Sequence, residues 1–133
     1  MSTFHAYVKS DRVPTINDLI RALNSRGFIV GLEGDPEAPL TDAGDALAVT
    51  VGDEQFTIGF GTDADASFQA LAGTEHAAPD TFREVLRLTD VRMRFTAEGT
   101  GETWARDMAR NVALLSCGAF ENPHNGTLLH YGR

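Results

Sequence analysis

Residues 46–62 read ALAVTVGDEQFTIGFGT, two apolar-rich stretches, ALAVTV and QFTIGFGT, on either side of Gly52-Asp53-Glu54. Short β-prone runs flanking a glycine-containing turn specify a β-hairpin, and a hairpin makes antiparallel sheet the framework of the fold. Working outward, FHAYVK (4–9) alternates Phe4, Ala6 and Val8 against His5, Tyr7 and Lys9, the period of a half-buried strand. VRMRFTA (91–97) does the same, with Val91, Met93 and Phe95 on one side and Arg92 and Arg94 on the other. FIVGLE (28–33) reads as a further strand, and AFE and TLLHY flank NPHNG, whose Asn125-Gly126 is a hairpin signal.

Helices interrupt these strands irregularly. Thr15 can cap a helix whose Ile16, Leu19, Ile20 and Leu23 form one apolar face and which Gly27 stops. A second helix is expected over PDTFREVLRL (79–88), with one or two helical turns at SFQALAG (67–73). A third runs from about Glu102 to Ser116, with Trp104, Met108, Val112 and Leu115 on its stripe and Gly118 as its stop. Residues 34–45 show no period and read as loop. The pattern predicts a single α+β domain over 1–133, a mainly antiparallel sheet packed against two to three helices.

Composition narrows the functional classes. The chain has 133 residues, 42% of them hydrophobic, which is too apolar for disorder. It shows no secretory pattern and no apolar run of membrane-spanning length, so a cytoplasmic location is expected. One cysteine cannot close an internal disulfide. The net charge is -8, and residues 27–82 hold eleven carboxylates and no lysine or arginine. Such a field repels nucleic acid and anionic membrane and steers cationic partners. A solvated, solubilising surface explains the same charges more plainly.

No motif announces catalysis. Cys117, with His124 and His130 downstream, suggests a thiol–imidazole pair, but it falls at a helix C-terminus, where the dipole opposes a thiolate, among Leu114, Leu115, Ala119 and Phe120. A buried structural thiol is expected there, with His124 in a solvated turn and His130 on a strand. The three lack a fourth zinc ligand and paired spacing. A calcium loop beginning at Asp63 fails at Phe68 and Thr74. Gly59-Phe60-Gly61 lacks the remaining elements of a phosphate loop, so no metal and no cofactor is expected. Arg83, Arg87, Arg92 and Arg94 form a cationic strip that either grips an anion or pairs with Glu84, Asp90, Glu98 or the acidic loop. Trp104 reads as core, while Tyr7, Phe60 or Phe68 would become interface anchors if they rimmed the acidic face.

Two terminal stretches, VPTINDLIRALNSRGFIVGLEG and WARDMARNVALLSCGAFENPHNGTLLHYG, resemble small bacterial immunity proteins of polymorphic and type VI secreted toxins. The resemblance implies a partner-neutralising role and brings no catalytic residues. The expectation is therefore a non-enzymatic protein occluding a basic toxin, with Glu33, Asp35, Glu37, Asp42, Asp45, Asp53 and Glu54 as the partner-binding surface. Two alternatives stand beside it: an acidic mimic of nucleic acid that blocks a defence protein, and a small enzyme or ligand-binding domain using His5, Tyr7, Arg92, Arg94, His124 and His130. A homo-oligomer joined through an open sheet edge is a further possibility.

Overall fold

The computed structural model describes residues 1–42, 44–63 and 88–131. The two helical segments expected between 67 and 88, with Asp65, Phe68, Arg83, Glu84 and Arg87, lie outside the described residues. In chain order the elements are β1 (Ser2–Val8), α1 (Ile16–Ser25), β2 (Val30–Leu32), β3 (Ala46–Val51), β4 (Glu54–Asp63), β5 (Val91–Ala97), α2 (Gly101–Leu115), β6 (Ala119–Asn122) and β7 (Thr127–His130). The strands form one sheet in the order β2-β3-β4-β5-β1-β6-β7. Every pairing is antiparallel. This is the α+β, mainly antiparallel architecture that the hairpin predicts.

The β3–β4 hairpin is pinned by its turn. Val51 pairs with Glu54, leaving Gly52-Asp53 as a two-residue loop with Gly52 at φ 59°. A left-handed residue in the first central position matches the right-handed twist of the flanking strands. From there the register puts Leu47, Val49, Ile58 and Phe60 on one pleat face and Ala46, Ala48, Thr57 and Gly59 on the other. The first set joins Phe4, Ala6, Val8, Met93 and Phe95 in one continuous core under α1 and α2.

α1 begins with the capping box its sequence suggests: Asp18 N–H donates to Thr15 Oγ1 and Thr15 N–H to the Asp18 carboxylate. Ile16, Leu19 and Leu23 are its buried face. α2 buries Ala105, Met108, Ala109, Val112 and Ala113. The three alanines among them let its backbone approach the sheet. Leu115 departs from the expected stripe and is exposed, whereas Trp104 is half-buried and packs against the core. Leu115 follows the last inward-facing turn of α2, and its side chain lines a surface groove.

The end of α2 corrects two expectations. Cys117 N–H donates to Leu114 O and Gly118 N–H to Ala113 O, the paired bonds of a Schellman closure. The left-handed position falls on Cys117 (φ 56°), not on the glycine, and the thiol is exposed where a buried one was expected. Gly118 serves a different purpose: a Cβ there would collide with the Tyr7 carbonyl oxygen of β1. The glycine is the point at which the chain leaves α2 and presses against β1.

β2 is shorter than the FIVGLE stretch. Gly27 takes φ 90° and Phe28 N–H donates back to Leu23 O, so residues 28 and 29 belong to the helix exit and the strand starts at Val30. Residues 34–42 form a fastened loop. Ile16 N–H and Asn17 N–H donate to the carbonyls of Ala38 and Pro36, Leu40 N–H donates to Pro14 O, and the Leu40 side chain is fully buried. At the other end of the sheet, Asn122 pairs with Thr127 around a four-residue β6–β7 loop closed by Gly126 at φ 75°.

Candidate functional site

The seven carboxylates of the expected binding surface are all exposed. None of them makes an ion pair with a described residue. They sit on the β2–β3 side of the sheet in two groups. Glu33, Asp35, Glu37, Asp42 and Asp45 gather where β2 ends and β3 begins, in the loop fastened over the first turn of α1. There the positive end of the α1 dipole favours Asp35 and Glu37. Asp53 and Glu54 occupy the β3–β4 turn at the opposite end of the six-residue strand β3, so the two groups are about 20 Å apart at ~3.4 Å per residue. The structure brings five of the seven together and leaves two apart.

A second feature lies at the Asp53–Glu54 end. Continuing the β2–β3 register by one residue places Ile29 opposite Gly52. Ile29 is 81% exposed and Phe28 is 37% exposed. The Phe28 ring stands edge-on to Trp104 at 5.0 Å between centroids, and Trp104 stacks on Phe56 at 6.4 Å. Tyr7 and Phe60, which would have been anchors only if they rimmed the acids, are buried. Phe28 takes that position because the Gly27 turn lifts it out of the strand. A signal existed in the sequence: Arg-Gly-Phe-Ile places two large apolar residues directly after a helix stop.

The sheet face opposite the helices gathers the scattered His/Arg/Tyr set. The registers align Gly61, Arg94, His5, Glu121 and Leu128 in one row across β4-β5-β1-β6-β7. The adjacent row holds Arg92, Tyr7, Ala119 and His130. Glu121, which the sequence reading passed over as part of a hairpin, is the hub. It is 4% exposed, and its Oε1 accepts from Tyr7 Oη–H at 2.9 Å and lies 2.8 Å from His5 Nδ1. Burial, then the Glu121 carboxylate, push the Tyr7 phenol well above its usual range, and Arg92 offsets this only in part.

Gly61 explains the Gly-Phe-Gly of β4: a Cβ there would lie 2.7 Å from a guanidinium nitrogen of Arg94, so the missing side chain is the seat of Arg94. Asp90, expected to pair with the strip, instead accepts from Ser10 N–H and Ser10 Oγ–H, both at 2.7 Å. Those bonds hold its carboxyl below the usual range. His124 stands apart from the cluster in its turn, where its Nε2 accepts the Thr3 N–H at 3.1 Å.

A groove of about 490 Å³ between the Ser10–Arg12 turn, α1 and the end of α2 is lined in part by Arg12, Asp18, Arg21 and Leu115. It contains none of these candidate residues. Among the described residues no group of three or more His, Cys, Asp or Glu is placed to hold a metal ion. No described helix is long and apolar enough to cross a membrane. Comparison with protein-family models, curated proteins and solved structures returns no match.

Proposed function

We propose that this chain is a cytoplasmic binding protein that neutralises a protein partner, the role its terminal stretches resemble in immunity proteins of secreted toxins. It does so by occlusion, without catalysis of its own. The observation that carries this reading is the β2–β3 side of the sheet, where seven exposed carboxylates make no ion pair with a described residue and ride on firmly held backbone. Carboxylates that stabilised the fold would be expected to pair within it. Exposed and without an ion pair to a described residue, they project their field outward and raise the encounter rate with a basic face.

Reversing Asp35, Glu37, Asp42 and Asp45 to lysine tests this on the partner recovered from the native cell. The association rate is expected to fall about tenfold or more and to lose its salt dependence. An unchanged rate and salt slope would end the steering reading.

The Glu121 hub favours a second reading, a small-ligand site on the opposite sheet face. A buried carboxylate that orients His5 through Nδ1 next to Tyr7 is also the arrangement used to aim an imidazole at a bound molecule. Ligand screening by amide shifts decides it: saturable shifts at His5 and Arg94 that vanish in His5→Gln support it, and their absence sets it aside.

A further inference from the structure

We propose that the aromatic end of the β2–β3 edge, formed by Ile29, Phe28 and Trp104 beside Asp53 and Glu54, anchors the interface. It takes a cationic protein face that presents an apolar side chain between lysines or arginines. This rests on the binding-protein reading and names the end of the edge that holds the partner.

Steering and holding need different chemistry. Rim charges set the encounter rate, whereas affinity comes from a few apolar or aromatic side chains desolvated in the contact. The Glu33–Asp45 end has the larger carboxylate group but, among the described residues, no exposed large hydrophobic, since its Leu40 is fully buried. The opposite end has both ingredients. Ile29 and Phe28 are adjacent and exposed, in a connection fixed by the Gly27 turn and the Phe28 N–H to Leu23 O bond. Trp104 braces the Phe28 ring from below and is itself held by Phe56. An apolar pair presented on rigid backbone against packed aromatics loses little conformational freedom on docking.

Charge decides the kind of partner. Asp53 and Glu54 lie in the turn opposite Ile29, exposed and without an ion pair to any described residue. Arg26, on the far side of Gly27, is exposed on the helix side of the same corner. A cationic face is thus drawn to the turn side, where an apolar residue between its charges meets Ile29 and Phe28. The exposed pair Leu114 and Leu115 has no comparable acidic flank, because the groove beside Leu115 carries Arg12 and Arg21 against the single carboxylate of Asp18.

Trp104 is the only tryptophan, so the site contains its own reporter. The probe is an amidated synthetic peptide with two leucines flanked by lysines, compared with a counterpart in which glutamates replace the lysines. The lysine peptide is expected to change Trp104 emission saturably and to shift the amides of Phe28 to Val30. Ile29→Asp should weaken it about tenfold, the effect of losing one well-packed aliphatic contact. Asp53→Asn with Glu54→Gln should weaken it by a smaller factor that disappears in high salt, and the glutamate peptide should give no response. Ile29 is exposed, so its replacement spares the core.

The anchor proposal is overturned if the lysine peptide does not bind, or if Ile29→Asp binds it as well as the native chain. In the second case, loss of binding on charge reversal at Asp35, Glu37, Asp42 and Asp45 leaves the steering reading standing. If that reversal is also without effect, both fail. A dimer seen by sedimentation and lost in Ile29→Asp would make the occupant a second copy of this chain, and would overturn the proposal too.

Discussion

Glu121 and the carboxylates of the β2–β3 edge are the same chemical group in opposite circumstances. Glu121 is buried on the penultimate strand of the sheet, shared by a phenol and an imidazole whose strand is more than a hundred residues away in sequence. Asp53 stands in water on the two-residue turn, and Glu54 beside it at the first position of β4. A buried carboxylate is held in place by its donors and penalises their loss, whereas an exposed one contributes little to folding and is available for an external partner. One acid is committed to the fold and the others are not, and that difference is measurable.

The sharpest way to break the contrast is Glu121→Ala. It removes the carboxylate shared by the Tyr7 hydroxyl and His5 Nδ1, and should cost about 3 kcal/mol in urea unfolding. A loss under 1 kcal/mol would mean that Glu121 is no more committed than the edge acids. Tyr7→Phe tests the other side of the same bond and is expected to cost about 1–2 kcal/mol near neutral pH.

Tyr7→Phe also carries a pH signature. The folded phenol is held above its ordinary value, so the stability it confers is complete below about pH 10 and is lost as pH rises beyond that, where the unfolded phenol ionises and the folded one does not. The native chain should therefore weaken more steeply than Tyr7→Phe in alkaline unfolding series.

Asp90 is intermediate, being exposed yet bonded to Ser10. Its carboxyl is held below the ordinary range, so its contribution is present above about pH 4 and fades as pH falls through the lowered value. Exposure limits that contribution to under about 1 kcal/mol, read as a small loss of acid tolerance in Asp90→Asn. The smallest effect is expected at the edge: Asp53→Asn and Glu54→Gln should each change stability by no more than about 0.5 kcal/mol. A larger loss at either would show that the edge acids hold the fold together after all.

What the sequence discloses follows the range of the interactions. The Thr15–Asp18 capping box, the Gly52-Asp53 turn and the apolar alternation of β1 and β5 are local, so their residue types predict them directly. The Glu121 hub is not local. It exists because β1 pairs with β6, and no property of AFENPH reveals which strand will lie beside it. The alternation does place His5 and Tyr7 on one face and Arg92 and Arg94 on one face, but only the register makes these the same face. The Phe28–Ile29 anchor is hidden for a different reason: strand propensity continues through FIVGLE, while the helix exit at Gly27 takes the first two residues for itself. Likewise, assigning the left-handed position to Gly118 follows propensity, and close packing against Tyr7 shifts that position to Cys117.

Cys117 thereby acquires a practical meaning. It is the chain's one thiol, exposed and held in a fixed turn just ahead of β6. The strand order puts β6 five positions from β2, about 24 Å at ~4.8 Å per strand. A dye, biotin or surface linkage attached there would label every molecule once, in the same orientation. The carboxylate edge would face away from the attachment, ready to meet whatever is passed over it.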